Sequence, residues 1–266
     1  MRLIDTHTHL YSKKFDSDRD AMIQRAMDAG VSEFFLPNVD RESIPGMLAL
    51  EEAYPGKCFA MMGLHPCSVK EGYEEELAVV ESWLQKRPFC AVGEIGIDLY
   101  WDKTFFEQQK EAFIRQTRWA KELGRPIVIH SREATDVIIE LLEKERDDRL
   151  RGIFHCFTGT REQAERIIGL GFLLGIGGVV TFKNAGLDKV VKDIDLKHLV
   201  LETDAPYLAP APKRGKRNES AYVRLVAEKV AAVSGKSYAE VAAQTTANAE
   251  ALFETESLSQ QAVLQP

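Results

Sequence analysis

Apolar residues fall in short runs separated by longer amphipathic stretches. The runs are Leu3–Ile4, Phe34–Leu36, Phe59–Met62, Ala91–Val92, Ile127–Ile129, Ile153–Phe154, Phe172–Ile176 and Leu199–Leu201. Successive runs begin about 20 to 36 residues apart, the length of one strand-plus-helix unit. The stretches between them carry helical spacing. Leu77, Val80 and Leu84 share one face, and Val137, Ile138, Leu141 and Leu142 form another stripe. Near the C-terminus, Ser237 and Glu240 form an S-x-x-E capping box ahead of Val241, Ala242 and Ala243.

Alternation of eight strands with helices predicts a TIM (β/α)8 barrel forming a single domain over residues 1–256. Residues 257–266 read as a flexible tail. A doubly wound open sheet is the alternative, but its nucleotide signatures are missing. Val180 interrupts G-x-G-x-x-G after Gly175, Gly177 and Gly178. Val230 stands where a P-loop ending in Gly235-Lys236-Ser237 needs glycine.

Composition narrows the picture further. Hydrophobic residues make up 45% of the chain, enough for one sizeable core. A net charge of -7 excludes a protein that coats duplex nucleic acid, because phosphate neutralisation dominates such binding. It leaves room for a local site that holds one chain end. Cys58, Cys67, Cys90 and Cys156 form no C-x-x-C pair and read as free thiols. MRLIDTHTHL lacks a signal-peptide apolar region, and no run is long enough to span a bilayer. A soluble, cytoplasmic protein is expected.

The chemistry is concentrated where the runs end. His7, His9, His65, His130 and His155 each lie just past an apolar run, whereas His198 precedes one and reads as a surface residue. In a barrel those ends meet at one rim, where active sites are built. In an extended strand His7 and His9, two residues apart, face the same way and can chelate one ion. Asp5 shares that face as a candidate acceptor that orients an imidazole. Glu94 follows a buried run, where a carboxylate bridging two cations would be compensated. Asp204 lies past the last run, placed to complete the His7/His9 site or to take a proton from water, and Glu202 supports the rim from within. Four imidazoles and two carboxylates suit Zn, Mn, Co or Fe and hold Mg less tightly. With no thiolate ligand, the set reads as open and catalytic. Two metals sharing Glu94 would acidify a bridging water and clamp an in-line displacement. The loop Lys213-Arg214-Gly215-Lys216-Arg217 adds four cations on the same rim.

These segments together resemble the TatD family of metal-dependent deoxyribonucleases, within the amidohydrolase superfamily. The matching segments are Asp5–His9, Gly63–Pro66, Gly93–Asp98 with Tyr100–Asp102, His130–Arg132, His155–Gly159, Glu202–Leu208 and Arg217–Glu219. The resemblance implies a TIM barrel with two divalent ions, Zn, Mn or Mg, held by His7, His9, Glu94, His130, His155 and Asp204. It implies phosphodiester hydrolysis in DNA, often by 3′-to-5′ exonuclease action, with Glu94 and Asp204 catalytic and His65 on the scissile phosphate. Arg132, Lys213, Arg214, Lys216 and Arg217 are the expected phosphate contacts for DNA ends or single strands. Relatives commonly carry proline where this chain has Ser220, which is expected to loosen the loop before it. The competing readings are an ester or amide metallohydrolase acting on small molecules and a non-catalytic metal-binding protein.

Overall fold

Each apolar run becomes a strand. In the computed structural model, which describes residues 1–254, the strands are β1 (Leu3–Asp5), β2 (Val31–Leu36), β3 (Cys58–Ala60), β4 (Val92–Asp98), β5 (Ile127–Arg132), β6 (Gly152–Phe154), β7 (Phe172–Ile176) and β8 (Leu199–Leu201). The helices are α1 (Arg19–Asp28), α2 (Ile44–Ala53), α3 (Tyr73–Lys86), α4 (Phe106–Leu123), α5 (Thr135–Glu145), α6 (Arg161–Gly169), α7 (Leu187–Val191), α8 (Val223–Ser234) and α9 (Tyr238–Phe253). The tail expected over 257–266 lies outside the described residues.

All named strand pairs are parallel, in two arcs: β1-β2-β3 and β4-β5-β6-β7-β8. The arcs join where Met62 pairs with Val92, with the Gly93 amide donating to the Met62 carbonyl at 3.1 Å. They close where the Thr6 amide donates to the Leu201 carbonyl at 3.0 Å. Both seams are bonded, so the sheet is a closed barrel and not the open doubly wound alternative.

Period-two alternation sorts the side chains. Leu3, Phe34, Ile127, Ile129, Leu199 and Leu201 pack in the larger core, with the helices. Ile4, Phe35, Phe59, Val128, Ile153 and Val200 form a second cluster inside the barrel. Helix α9 closes that cluster with Ala249, Leu252 and Phe253; the Phe253 and Phe35 rings stack at 4.0 Å between centroids. Burying each such ring contributes about 2–3 kcal/mol. The Ser237/Glu240 capping box starts α9 as its sequence predicts. Above this apolar layer, His130 on β5 keeps the inward parity, as does Glu202 just beyond β8, while Glu94 stands at the irregularity between Gly93 and Ile95 where the β4 register against β5 shifts. Alternation on β5 and β8, with the register shift on β4, thus brings the polar residues to the C-terminal mouth of the barrel.

Candidate metal centre

Glu94 is the hub of the mouth and is 2% exposed. Its Oε2 lies 3.2 Å from His7 Nε2 and 3.8 Å from His9 Nε2. Its Oε1 lies 2.8 Å from His130 Nδ1, 3.0 Å from His155 Nε2 and 3.3 Å from His65 Nε2. Asp204 sits on the His7/His9 side, with Oδ1 at 3.8 Å from His7 Nε2 and 3.5 Å from His9 Nε2. It has φ 55°, a left-handed conformation that aspartate tolerates better than most residues. The Asp204 amide donates to the His7 carbonyl across the β8–β1 seam at 2.9 Å.

The glycines of the β4 segment have steric reasons. A Cβ at Gly93 would lie 2.9 Å from the Val128 Cβ, and one at Gly96 would collide with the His130 carbonyl oxygen. Both glycines let β4 and β5 approach closely enough for Glu94 and His130 to meet.

Three sets of donor atoms lie close enough to share an ion: His7, His9 and Glu94; His7, His155 and Asp204; and His65, Glu94 and His130. Burial disfavours charge on Glu94, but the fields of His65, His155 and His7 and the hydrogen bond with His130 prevail and hold its carboxyl well below the usual range. One carboxylate does not sustain four imidazolium charges. Despite burial, His155 is raised by Glu94 and Glu202, and His130 by Asp98 and Glu94. His7 and His65 are lowered, chiefly by burial. Both ring nitrogens of His7 are buried without a hydrogen-bond partner. A neutral imidazole in that position beside two carboxylates has the donor chemistry of a metal ligand. The residues therefore fit divalent metal.

The supporting residues are arranged partly as expected. Glu202 Oε1 lies 3.2 Å from His155 Nδ1 and accepts from the Cys156 amide at 2.5 Å. Asp5 differs. Strand β1 ends at Asp5, so strand alternation does not carry on to His7 and His9, and the hydrogen bonds of the Asp5 carboxylate go elsewhere than to an imidazole. Its carboxylate instead accepts from the Thr203 amide at 2.9 Å and hydroxyl at 2.6 Å, fixing the turn that carries Asp204. Burial pushes Asp5 up to about 7, against the hydrogen bonds from Ser220 and Thr203. Ser220 does not loosen its loop: it is fully buried, and its Oγ lies 3.2 Å from Thr8 Oγ1.

Two neighbours had no assigned role in the sequence. Asp98 Oδ2 lies 2.9 Å from His130 Nε2, and the Tyr11 hydroxyl lies 2.9 Å from His9 Nδ1. The parity of Glu94, Gly96 and Asp98 along β4 is the signal that reveals Asp98. His65 lies 3.3 Å from His130 Nδ1, inside the imidazole cluster and not beside it.

The basic residues divide. Arg132 is exposed and lies over the Tyr100 ring, 3.7 Å from its centroid. Arg214 covers Phe182 at 3.7 Å, Lys213 lies 5.4 Å from the Tyr222 ring, and Lys216 is exposed. Arg217 is committed elsewhere, bidentate to Asp18 at 2.6 and 2.7 Å. His198 is half-buried at the N-terminal end of β8, opposite the C-terminal strand ends that carry the site. Cys58, Cys67, Cys90 and Cys156 are free thiols, and no described helix is long and apolar enough to cross a membrane.

Comparison with known proteins agrees with this geometry. The TatD related DNase family matches residues 4–254. A Bacillus subtilis protein described as the uncharacterized metal-dependent hydrolase YabD is 40% identical over 252 residues, covering 94% of this chain and 98% of that protein. A Pantoea vagans protein named 3′-5′ ssDNA/RNA exonuclease TatD is 34% identical over 257 residues, covering 94% of this chain and 99% of that one. The crystal structure of YJJV, a TatD homologue from Escherichia coli, superposes with a TM-score of 0.90 at 32% identity, covering 95% of this chain and 98% of that one. With the barrel closed and this carboxylate–imidazole cluster at its mouth, the chain belongs to the TatD related DNase family of metal-dependent hydrolases.

Proposed function

We propose that this chain is a two-metal phosphodiesterase that removes nucleotides from the 3′ end of single-stranded DNA. The observation that carries the reading is the division of labour at Glu94. One carboxylate oxygen faces His7 and His9, and the other faces His130, His155 and His65. A carboxylate with donors clustered at each oxygen suits a bridge between two divalent ions, Zn, Mn or Mg, completed by Asp204 on the His7/His9 side. When bound, such a pair lowers the pKa of water and stabilises charge on both oxygens of an in-line displacement.

The chain's own residues supply the rest. The hydrogen bond with His9 and the fields of His155 and His7 hold Asp204 below the usual carboxylate range despite its burial, so it is ionised at neutral pH and can accept a proton. His65 is the phosphate contact, presented by the turn after β3 beside Glu94 and His130. Arg132, Lys213, Arg214 and Lys216 hold the phosphates of the strand, while Arg217, paired with Asp18, fixes its loop. Asp5 and Glu202 position Asp204 and His155 through the contacts described above. A site at a barrel mouth in a chain of net charge -7 favours a strand end over a long duplex. The free thiols support a reducing, cytoplasmic setting, and the domain is taken to run to residue 256.

The test is product length on a 5′-labelled single strand, with Mg, Mn and Zn supplied separately. The expected result is a ladder shortened one nucleotide at a time, with a circular single strand left intact. Internal fragments from the circle would overturn the end-binding reading. No cleavage under any of the three metals, beside hydrolysis of a lactone or amide, would favour the small-molecule alternative. An RNA strand in parallel decides the sugar preference.

A further inference from the structure

Among the described residues the exposed large hydrophobic side chains are Met1, Tyr100, Trp101, Leu123, Tyr207 and Leu208. Four of these six follow β4 or β8 at the mouth of the barrel. Trp101 is 70% exposed and Tyr100 50%, with ring centroids 4.9 Å apart and planes at 88°. The Arg132 guanidinium lies 3.7 Å from the Tyr100 centroid and 5.3 Å from that of Trp101. Packing does not explain this exposure, because an indole left largely in water adds little to the core.

The patch is tied to the metal centre through one side chain. Asp98 Oδ1 accepts from the Tyr100 amide at 3.0 Å and the Trp101 amide at 3.2 Å. Its other oxygen lies 2.9 Å from His130 Nε2. Asp98 pairs with Arg132 in the β4–β5 register, and the Leu99 amide donates to the Arg132 carbonyl at 3.0 Å. The aromatic pair, its cation and His130 thus share a single anchored frame. Aromatic faces beside a guanidinium suit a flat, π-rich ligand attached to an anion. An unpaired nucleobase on its phosphodiester strand has that chemistry. A base inside a duplex does not, because its neighbours cover both faces.

We propose that Tyr100, Trp101 and Arg132 form a stacking platform for an unpaired nucleobase of the substrate strand, and that this platform selects single strands over duplex. The proposal rests on the phosphodiesterase reading above and names the part of its substrate that binds beyond the metals.

The test compares the full chain with Trp101→Ala and Trp101→Phe on oligo-dT and on oligo-dT carrying single abasic sites near the 3′ end. Stacking contributes about 1–3 kcal/mol per base, or about 5- to 150-fold in affinity. Trp101→Ala is expected to raise KM by that factor while kcat changes little, and Trp101→Phe to recover most of the loss. On a strand whose abasic site falls at the platform, wild type and Trp101→Ala should converge. Equal KM for wild type and Trp101→Ala on intact oligo-dT would overturn the platform, as would an undiminished difference at every abasic position. Binding is read separately from indole fluorescence, since Trp83 and Trp119 remain as internal references in Trp101→Phe. Oligo-dT should quench wild type more than Trp101→Phe; equal quenching refutes the platform whether or not the strand is cut. Quenching without cleavage under Mg, Mn or Zn would refute the phosphodiesterase reading alone. A fall in molecular mass on Trp101→Ala in sedimentation would show that a second copy of the chain covers the patch, and would also overturn the proposal.

Discussion

Gly96→Ala tests the packing that brings β4 and β5 together beneath the metal centre. Gly96 has φ 152°, a region that side-chain-bearing residues rarely adopt, and its missing Cβ points at the backbone of His130. A methyl group there would collide with the His130 carbonyl oxygen and come within 2.8 Å of its carbon and 3.0 Å of its nitrogen. These are main-chain atoms of a central strand, so no side chain can swing away. Backbone strain of about 1–3 kcal/mol adds to about 1–3 kcal/mol for overpacking, giving about 4 kcal/mol in total. For a domain of this length about 1 kcal/mol corresponds to about 2 °C in Tm, so a fall of about 8 °C is expected. Two glycines serve as controls. Gly72, with φ 78° and open space around it, should cost only the left-handed penalty on mutation to Ala, about 1–2 kcal/mol. Gly169 ends α6 with open space and no positive φ, so Gly169→Ala should leave Tm unchanged or raise it by about 2 °C. Calorimetry in excess chelator keeps metal binding out of the comparison. A Gly96→Ala Tm within about 2 °C of wild type would refute the close approach of β4 and β5.

Three further outcomes follow from the same structure. His65→Ala should weaken turnover with metal content intact if His65 contacts phosphate; since it lies 3.3 Å from both Glu94 and His130, loss of a metal in elemental analysis would make it a ligand instead. Asp98→Asn, which removes the anionic partner of His130, should weaken metal affinity by about 10- to 100-fold in a competition titration; unchanged affinity would leave Asp98 with only its backbone contacts. Glu145 is held below the usual 4.5 by Arg118, with Lys121 assisting against burial. A depressed carboxylate contributes stability that is present above about 4.5 and lost as pH falls through its folded value, so Glu145→Gln should flatten that acid limb in pH-dependent melting.

The sequence carried the barrel because apolar runs of strand length leave little else for their spacing to mean, and all eight runs lie in or overlap the strands. It carried the clustering of the candidate metal-binding side chains because residues just past the apolar runs must meet once the barrel closes. It was less informative wherever a partner is chosen by register or long-range docking. Asp98 meets His130 through the β4–β5 register, across 32 positions of chain. Arg217 meets Asp18 across 199, so its charge reads as free in the sequence and is paired in the fold. Asp5 was given an imidazole by extending β1 past its end; the chain instead leaves the strand there and the carboxylate serves Thr203. Ser220 looked like a loosened loop because its partners Thr8 and Asp5 lie at the other end of the chain.

Metal content tests the account most directly. Wild type, Glu94→Gln and His130→Ala would be purified without added metal, titrated with Zn or Mn, and analysed for bound metal by mass spectrometry. Because the two oxygens of Glu94 face different imidazoles, the account predicts two equivalents in wild type, weakened binding of both in Glu94→Gln, and loss of mainly one in His130→Ala. Full occupancy of both sites in Glu94→Gln would contradict the bridge, and a single equivalent in wild type would contradict the two-metal centre itself.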